Sequence, residues 1–317
     1  MSAPAFLFPG QASQFVGMGA DLHGRYEIVR ETYGEAEQIL GFDLQKVSFE
    51  GPEEELKQTE VTQPAVFVHS VSAARVLLAR HIRPSYVAGH SLGEYSALVV
   101  GGALTFSDGL RLVKLRGRLM QEAGERRPGT MAAIIGLKDE QVEKVCRKVS
   151  QAGLVCPANF NAPGQVVVSG DRKALQEAIR EAKAGGARIA IELQVSGAFH
   201  SELMAPALEP MRRALSETPM SPMEIPLVAN VTGDFVRTPH RIKALLAEQM
   251  VRPVRWVDSM RRIRSNGVKE MIEVGPGNVL AGLMRRIDPS VRVVHAGDVK
   301  SLDRLLGETG TALSKTR

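Results

Sequence analysis

Cysteine is almost missing from this chain of 317 residues: Cys146 and Cys156 are the only two. Two thiols supply neither a disulfide framework nor a zinc ligand set, so a reducing cytoplasm is the default compartment, with both side chains expected as small buried groups. Aromatics are sparse at 5 %, with a single tryptophan, Trp256. They do not interleave with the late arginines (Arg252, Arg255, Arg261, Arg262, Arg264, Arg285, Arg286, Arg292), as a nucleic-acid groove would require. Long hydrophobic runs are lacking too. No segment approaches the roughly 18 uninterrupted apolar residues of a membrane span, and residues 97–106 are broken by Gly101 and Gly102. The opening residues 1–10 have no charged n-region and meet Pro9 after a short apolar run, which does not read as a signal peptide. His23, His69, His81, His240 and His295 show no metal-ligand spacing, and no repeat or low-complexity segment is present. No resident metal, cofactor, membrane or nucleic acid is therefore expected.

What is present is an ordinary globular composition, 44 % apolar and 24 % charged, long enough for a main domain with a smaller one inserted. The net charge of +5 points weakly to an acidic partner on a solvated basic surface. One stretch organises the rest. Tyr86-Val87-Ala88 is a short strand-like run after Pro84, Gly89-His90-Ser91-Leu92-Gly93 follows, and Glu94 opens a helical run. Gly-x-Ser-x-Gly between strand and helix is the nucleophile-elbow pattern. The glycines give room where the chain turns sharply, and the strained apex lifts the serine hydroxyl beside the first N–H groups of the helix. The pentapeptide alone also fits a tight turn with a capping serine; the strand before it and the helix with small Ser96 and Ala97 after it favour Ser91 as nucleophile.

Around this elbow the pattern is α/β: a hydrolase-like parallel-sheet core with an inserted ferredoxin-like small subdomain. Strands are expected at residues 6–8, 86–88, 225–231 and 268–274, and helices at 26–40 and 62–80. Another helix is expected at 107–122, with Ser107 as its cap. Residues 17–22 resemble a dinucleotide fingerprint but lack its third glycine and a preceding strand. From Pro128 the order becomes β-α-β-β-α-β: strands at 130–137, 155–159, 165–169 and 188–195, helices at 138–152 and 171–184. This is the split βαβ arrangement. The boundaries drawn are 1–127 with 196–317 for the large body and 128–195 for the small one, whose edge walls a cleft over the elbow. Residues 248–256 are expected as a shaped loop.

Two further side chains stand out. In the helix after the elbow, Arg111, Lys114 and Arg118 make a solvated face. Arg116 instead has Leu112, Val113, Leu119 and Met120 as its helical neighbours, the apolar side, where an unpaired charge is costly. It needs an anion, either a structural Asp or Glu or a substrate carboxylate held by the guanidinium fork. His200, at a strand-to-loop turn before a helix, is best placed of the seven histidines to meet the serine. His90 is assigned a packing or hydrogen-bonding role.

Phe8-Pro-Gly-Gln-Ala-Ser-Gln14, Gly89-His-Ser-Leu-Gly-Glu-Tyr-Ser-Ala97, Arg116-Gly, Asn159-Phe-Asn161, Gly197-Ala-Phe-His200 and Val274-Gly-Pro-Gly277 stand in the order seen in the malonyl-CoA:acyl carrier protein transacylases. The chain resembles a stand-alone bacterial member of that family from about Phe6 to about Val294. The resemblance implies a Ser91–His200 dyad, with His200 oriented by the backbone carbonyl of Gln249. It also implies an oxyanion hole from the N–H groups of Gln11 and Leu92, and a malonyl-carboxylate clamp at Arg116. The implied chemistry is ping-pong transfer from malonyl-CoA to the phosphopantetheine thiol of an acidic, transiently bound acyl carrier protein, by a monomer. Phe199 either selects malonyl over methylmalonyl or packs the domain seam. The rival on this elbow, a serine esterase or thioesterase, would want an acidic third member, yet Asp108, Asp139 and Asp171 fall at helix starts.

Overall fold

The computed structural model describes residues 3–314. Strands β1 (Ala5–Phe8), β2 (Tyr86–Gly89), β3 (Thr130–Ile135), β4 (Val155–Ala162) and β5 (Gln165–Gly170) are followed by β6 (Ile189–Glu192), β7 (Leu227–Ala229), β8 (Asp234–Val236), β9 (Glu270–Val274) and β10 (Arg292–Ala296). They form two sheets, a six-stranded one in the order β10-β9-β1-β2-β7-β8 and a four-stranded one in the order β4-β5-β3-β6. In the large sheet every pairing is parallel except β7 with β8. Its central strands are short and apolar because helices cover both faces. Period-2 alternation divides β1 between two cores: Phe6 and Phe8 join the helices Thr59–Ala79 and Phe106–Arg126, while Ala5 and Leu7 join Trp256, Met260 and Leu283 on the other face.

The small sheet is wholly antiparallel. Ala132, Ile134, Val166 and Val168 point to the helices Asp139–Lys148 and Arg172–Ala184. The alternate residues Met131 and Val167 belong to the large core and line the cleft. One face of the small sheet is thus its own core, and the other is a wall.

Several local expectations shift. The helix placed at 107–122 begins at Phe106 and is capped by Thr105, whose Oγ1 accepts from Asp108 N at 3.0 Å, not by Ser107. Phe106 is drawn into the helix because its ring is buried and stacks on Phe67, centroids 5.6 Å apart. The helix placed at 62–80 starts three residues earlier, at Thr59. It is long and apolar enough to span a bilayer by composition, but 89 % of its most apolar window is buried in the fold. The strand placed at 225–231 keeps only Leu227–Ala229, because the next residue, Asn230, turns its backbone N–H to the Glu94 carboxyl. β8 was not anticipated; its Phe235 stacks on Tyr86 with centroids 5.2 Å apart. The loop placed at 248–256 is shorter. Gln249 closes the helix Pro239–Gln249 and Trp256 opens the helix Trp256–Arg264. Between them Val254 exchanges hydrogen bonds with the small sheet, N to Ala158 O at 2.8 Å and O from Phe160 N at 2.9 Å.

Candidate active site

β2 ends at Gly89 and the elbow helix Gly93–Val100 begins four residues on, with Ser91 at the apex in the left-handed region, φ 52°. Close approach is what demands the two glycines. A Cβ on Gly89 would lie 1.9 Å from the Gly93 carbonyl carbon, and one on Gly93 would lie 2.1 Å from the Phe8 oxygen on the neighbouring strand. Asn230, just past β7, pins the turn: Ser91 N donates to its Oδ1 at 2.7 Å, and its Nδ2 donates to Gly89 O at 2.7 Å.

His200 also has positive φ, 59°. Its Nε2 stands 2.8 Å from Ser91 Oγ and its Nδ1 2.8 Å from the Gln249 carbonyl oxygen. A carbonyl can only accept, so Nδ1 carries the hydrogen and Nε2 is left to accept from the serine hydroxyl. Burial, then the positive charge of Arg116, hold the imidazole well below its ordinary range, at about 3. It is a neutral base at physiological pH. Where a triad would place a carboxylate, this site has a backbone carbonyl.

Arg116 is 1 % exposed, among the apolar neighbours its spacing implied. Gly117 explains how it reaches the centre. A Cβ there would stand 2.9 Å from Glu60 Cα, so the missing side chain lets the two long helices close up. The guanidinium donates from Nη1 to Gln63 Oε1 at 2.7 Å, and from Nη2 to Gln249 Oε1 at 2.9 Å and Ser91 Oγ at 3.0 Å. These partners are neutral, and Nε has no partner in the protein. Burial lowers the guanidinium's pKa, opposed by the nearby Tyr95 and Glu94. The hydrogen-bonded partners of this buried cation are thus two amides and the nucleophile, with no carboxylate among them.

The acyl transferase domain model matches residues 5–301. Two malonyl CoA-acyl carrier protein transacylases are similar along nearly the whole length. The one from Bacillus subtilis (strain 168) is 41 % identical over 304 residues, 96 % of each chain. The one from Escherichia coli (strain K12) is 44 % identical over 288 residues, 90 % of this chain and 93 % of the other. The chain belongs to the malonyl-CoA:acyl carrier protein transacylase family. A solved malonyl-transacylase, in complex with its type II polyketide synthase acyl-carrier protein, superposes with a TM-score of 0.94. It is 42 % identical and covers 97 % of this chain and 100 % of its own.

In this transacylase the cleft holds about 980 Å³, counting its open mouth, and Ser91, His200, Gln11, Leu92, Arg116 and Phe199 all line it. Leu92 precedes the elbow helix, and Gln11 follows β1 on the adjacent turn, its Nε2 donating to Thr59 Oγ1 at 3.2 Å. Phe199 is 6 % exposed; it belongs to the large core and also faces the cleft. Gln249 is fully buried and reaches the cleft only through its partners. His90 Nε2 lies 2.8 Å from Asn161 Oδ1, and the ring tilts against Trp256, centroids 5.3 Å apart. Its packing role stands. Among the described residues no group of three or more His, Cys, Asp or Glu is placed to hold a metal.

Sequence reasoning missed Gln63, Asn230 and the side chain of Gln249. Gln63 had a signal, being a polar residue in a helix buried on every side. Asn230 had a weaker one, its place at the carboxyl end of a parallel strand. Glu94 stood in the quoted motif without a role.

Proposed function

We propose that this chain transfers a malonyl group from malonyl-CoA, through an ester on Ser91, to the phosphopantetheine thiol of an acyl carrier protein, supplying fatty-acid chain extension. The observation that carries it is the meeting of three groups at one oxygen: Ser91 Oγ lies 2.8 Å from His200 Nε2 and 3.0 Å from Arg116 Nη2. A base and a carboxylate receptor flank one hydroxyl.

His200 Nε2 takes the Ser91 proton as Oγ attacks the thioester carbon. The N–H groups of Gln11 and Leu92 hold the oxyanion; one such donor typically accounts for about 100- to 1,000-fold in rate. Collapse breaks the C–S bond, and the coenzyme A thiolate takes the proton from His200. The carrier's thiol then gives its proton to His200 and attacks the seryl ester. Collapse of that intermediate releases the serine oxygen, which is reprotonated by His200. Throughout, Arg116 exchanges a neutral acceptor for the malonyl carboxylate, where both partners are charged and the bond is stronger. Phe199 borders the acyl space, where an added methyl must compete with its ring.

In this reading residues 1–127 and 196–317 carry the nucleophile and base, and residues 128–195 close the cleft; the chain acts as a cytoplasmic monomer. The same chemistry also serves a polyketide carrier, and the solved relative bound to one favours keeping that substrate in view. Intact mass after brief exposure to malonyl-CoA, with peptide mapping, tests the proposal. A malonyl adduct on Ser91, absent in Ser91→Ala, is expected; no adduct there refutes it. Product analysis with and without carrier protein separates transfer from hydrolysis, since a thioesterase would release free malonate in both.

A further inference from the structure

Behind the elbow lies a carboxyl group that the transfer steps do not use. Glu94, in the first turn of the elbow helix, is 2 % exposed. Burying a carboxyl is costly unless its bonds are made. Here one oxygen makes them: Oε2 accepts from Gln249 Nε2 at 2.7 Å and from the Asn230 backbone N–H at 3.3 Å.

Gln249 is the residue through which this matters. Its amide has two distinguishable ends. Nε2 faces three acceptors, Glu94 Oε2 at 2.7 Å, Ser91 O at 3.1 Å and Asn230 Oδ1 at 3.4 Å; Oε1 faces a donor, Arg116 Nη2, at 2.9 Å. Turning the amide over would set N–H against N–H at Arg116 and oxygen against oxygen at the other three contacts. The shortest of the three acceptor contacts that fix its direction is the one to Glu94. The elbow has braces of its own in the Asn230 side chain and the Gly89–Gly93 contact, and Glu94 reaches them only through the longer 3.3 Å bond from the Asn230 backbone N–H. His200 is held by the Gln249 backbone, not by its amide.

We propose that Glu94 is a positioning residue for acyl selectivity: its Oε2 sets the direction of the Gln249 amide, which in turn holds the Arg116 guanidinium at the nucleophile. The proposal deepens the malonyl-transfer reading and rests on it. It requires an acceptor at that point, not a charge, because a single oxygen receives both bonds. Glutamine can supply that oxygen and leucine cannot.

The test uses the full chain, with malonyl-CoA and acetyl-CoA as donors and thermal unfolding alongside. In Glu94→Leu, malonyl kcat/KM should fall about 10- to 100-fold, the range set by one hydrogen bond to a charged group, mainly through KM. Acetyl transfer should fall less than about threefold, and Glu94→Gln should restore malonyl transfer to within about threefold of the parent, each a change smaller than one ordinary hydrogen bond. Glu94→Leu combined with Gln249→Met should lose no more than either single variant, the signature of coupled residues. Equal losses for malonyl and acetyl, additive losses in the double variant, or a Glu94→Gln as impaired as Glu94→Leu would each overturn the proposal. Should Glu94→Leu fail to fold, Gln249→Met must show the malonyl-selective loss and Glu94→Gln must not; the reverse pattern refutes it. A parent chain that moves no malonyl group would instead sink the functional reading, which keeps the two failures apart.

Discussion

Removing Arg116 separates a carboxylate receptor from a structural cation. Arg116→Ala deletes three hydrogen bonds, to Gln63, Gln249 and Ser91. Truncating one partner of a buried charged pair costs about 2–5 kcal/mol, which for the malonyl carboxylate corresponds to a fall of roughly 30- to several thousand-fold in kcat/KM. Acetyl-CoA brings no carboxylate and loses none of this. Its transfer should fall about tenfold at most or rise, the loss of one guanidinium contact to Ser91 being worth about 1.5 kcal/mol. Arg116→Met is the companion variant, since its stem fills space beside Leu112, Val113, Leu119 and Met120, all buried. Initial rates of thiol release from the two thioesters, at substrate well below KM, give the ratio directly, and thermal unfolding reports the folded fraction. If both variants lose malonyl and acetyl transfer by the same factor, Arg116 is structural and the receptor argument fails.

Five further outcomes follow from the same geometry. Because burial and Arg116 hold His200 at about 3, well under the 6.5 of a free imidazole, the acidic limb of kcat/KM should lie below pH ~5; a limb near 6.5 would contradict a neutral buried base. The unfolded chain takes up that proton first, so stability should decline as pH drops from about 6.5 toward 3, seen as a falling unfolding midpoint. For Glu94 the sign reverses. Burial raises its carboxyl from 4.5 to about 7, so ionisation is disfavoured in the fold and stability declines as pH rises through that interval. Glu94→Gln should therefore stabilise by up to about 3 kcal/mol near pH ~8 and by little near pH ~4; a gain that does not vary with pH would refute this. Gly93→Ala should cost more than ~3 kcal/mol in denaturant unfolding, or prevent folding, since its Cβ would stand 2.1 Å from the Phe8 oxygen; a loss below ~1 kcal/mol would refute the close-approach argument. Transfer to carrier protein should weaken with added salt as the basic surface is screened, although Arg255, Arg262, Arg264 and Arg292 are already paired with carboxylates; flat kinetics would argue against charge-guided docking.

The parts of the site legible in the sequence are those where local chemistry is unusual. Gly-x-Ser-x-Gly announces a backbone with no room for Cβ atoms, and Arg116 announces itself as a charge at an apolar helical position. Both arguments use only residues within a turn or two. Gln249 could not be read that way. Its carbonyl serves His200 and its amide serves Arg116, yet these partners lie 49 and 133 residues away, and nothing in its own neighbourhood marks it. Asn230 was hidden for a related reason. It reads as the end of a strand, and only the packing of β7 beside β2 brings it to Ser91. The cap expected at Ser107 falls instead at Thr105, another hydroxyl residue two positions earlier. Burial of Phe106 decided it, which is a tertiary effect that propensity does not contain.

The strap between Gln249 and Trp256 is fastened at both ends to different things. At one end a carbonyl aims the imidazole; five residues on, Val254 is stitched into the edge of the smaller sheet through Ala158 and Phe160. The peptide that keeps the base pointed at the serine is thereby tied to the wall of the cleft. Walling the thioester's cleft and keeping the imidazole in line thus rest on one short stretch of chain, with four residues between the two attachments.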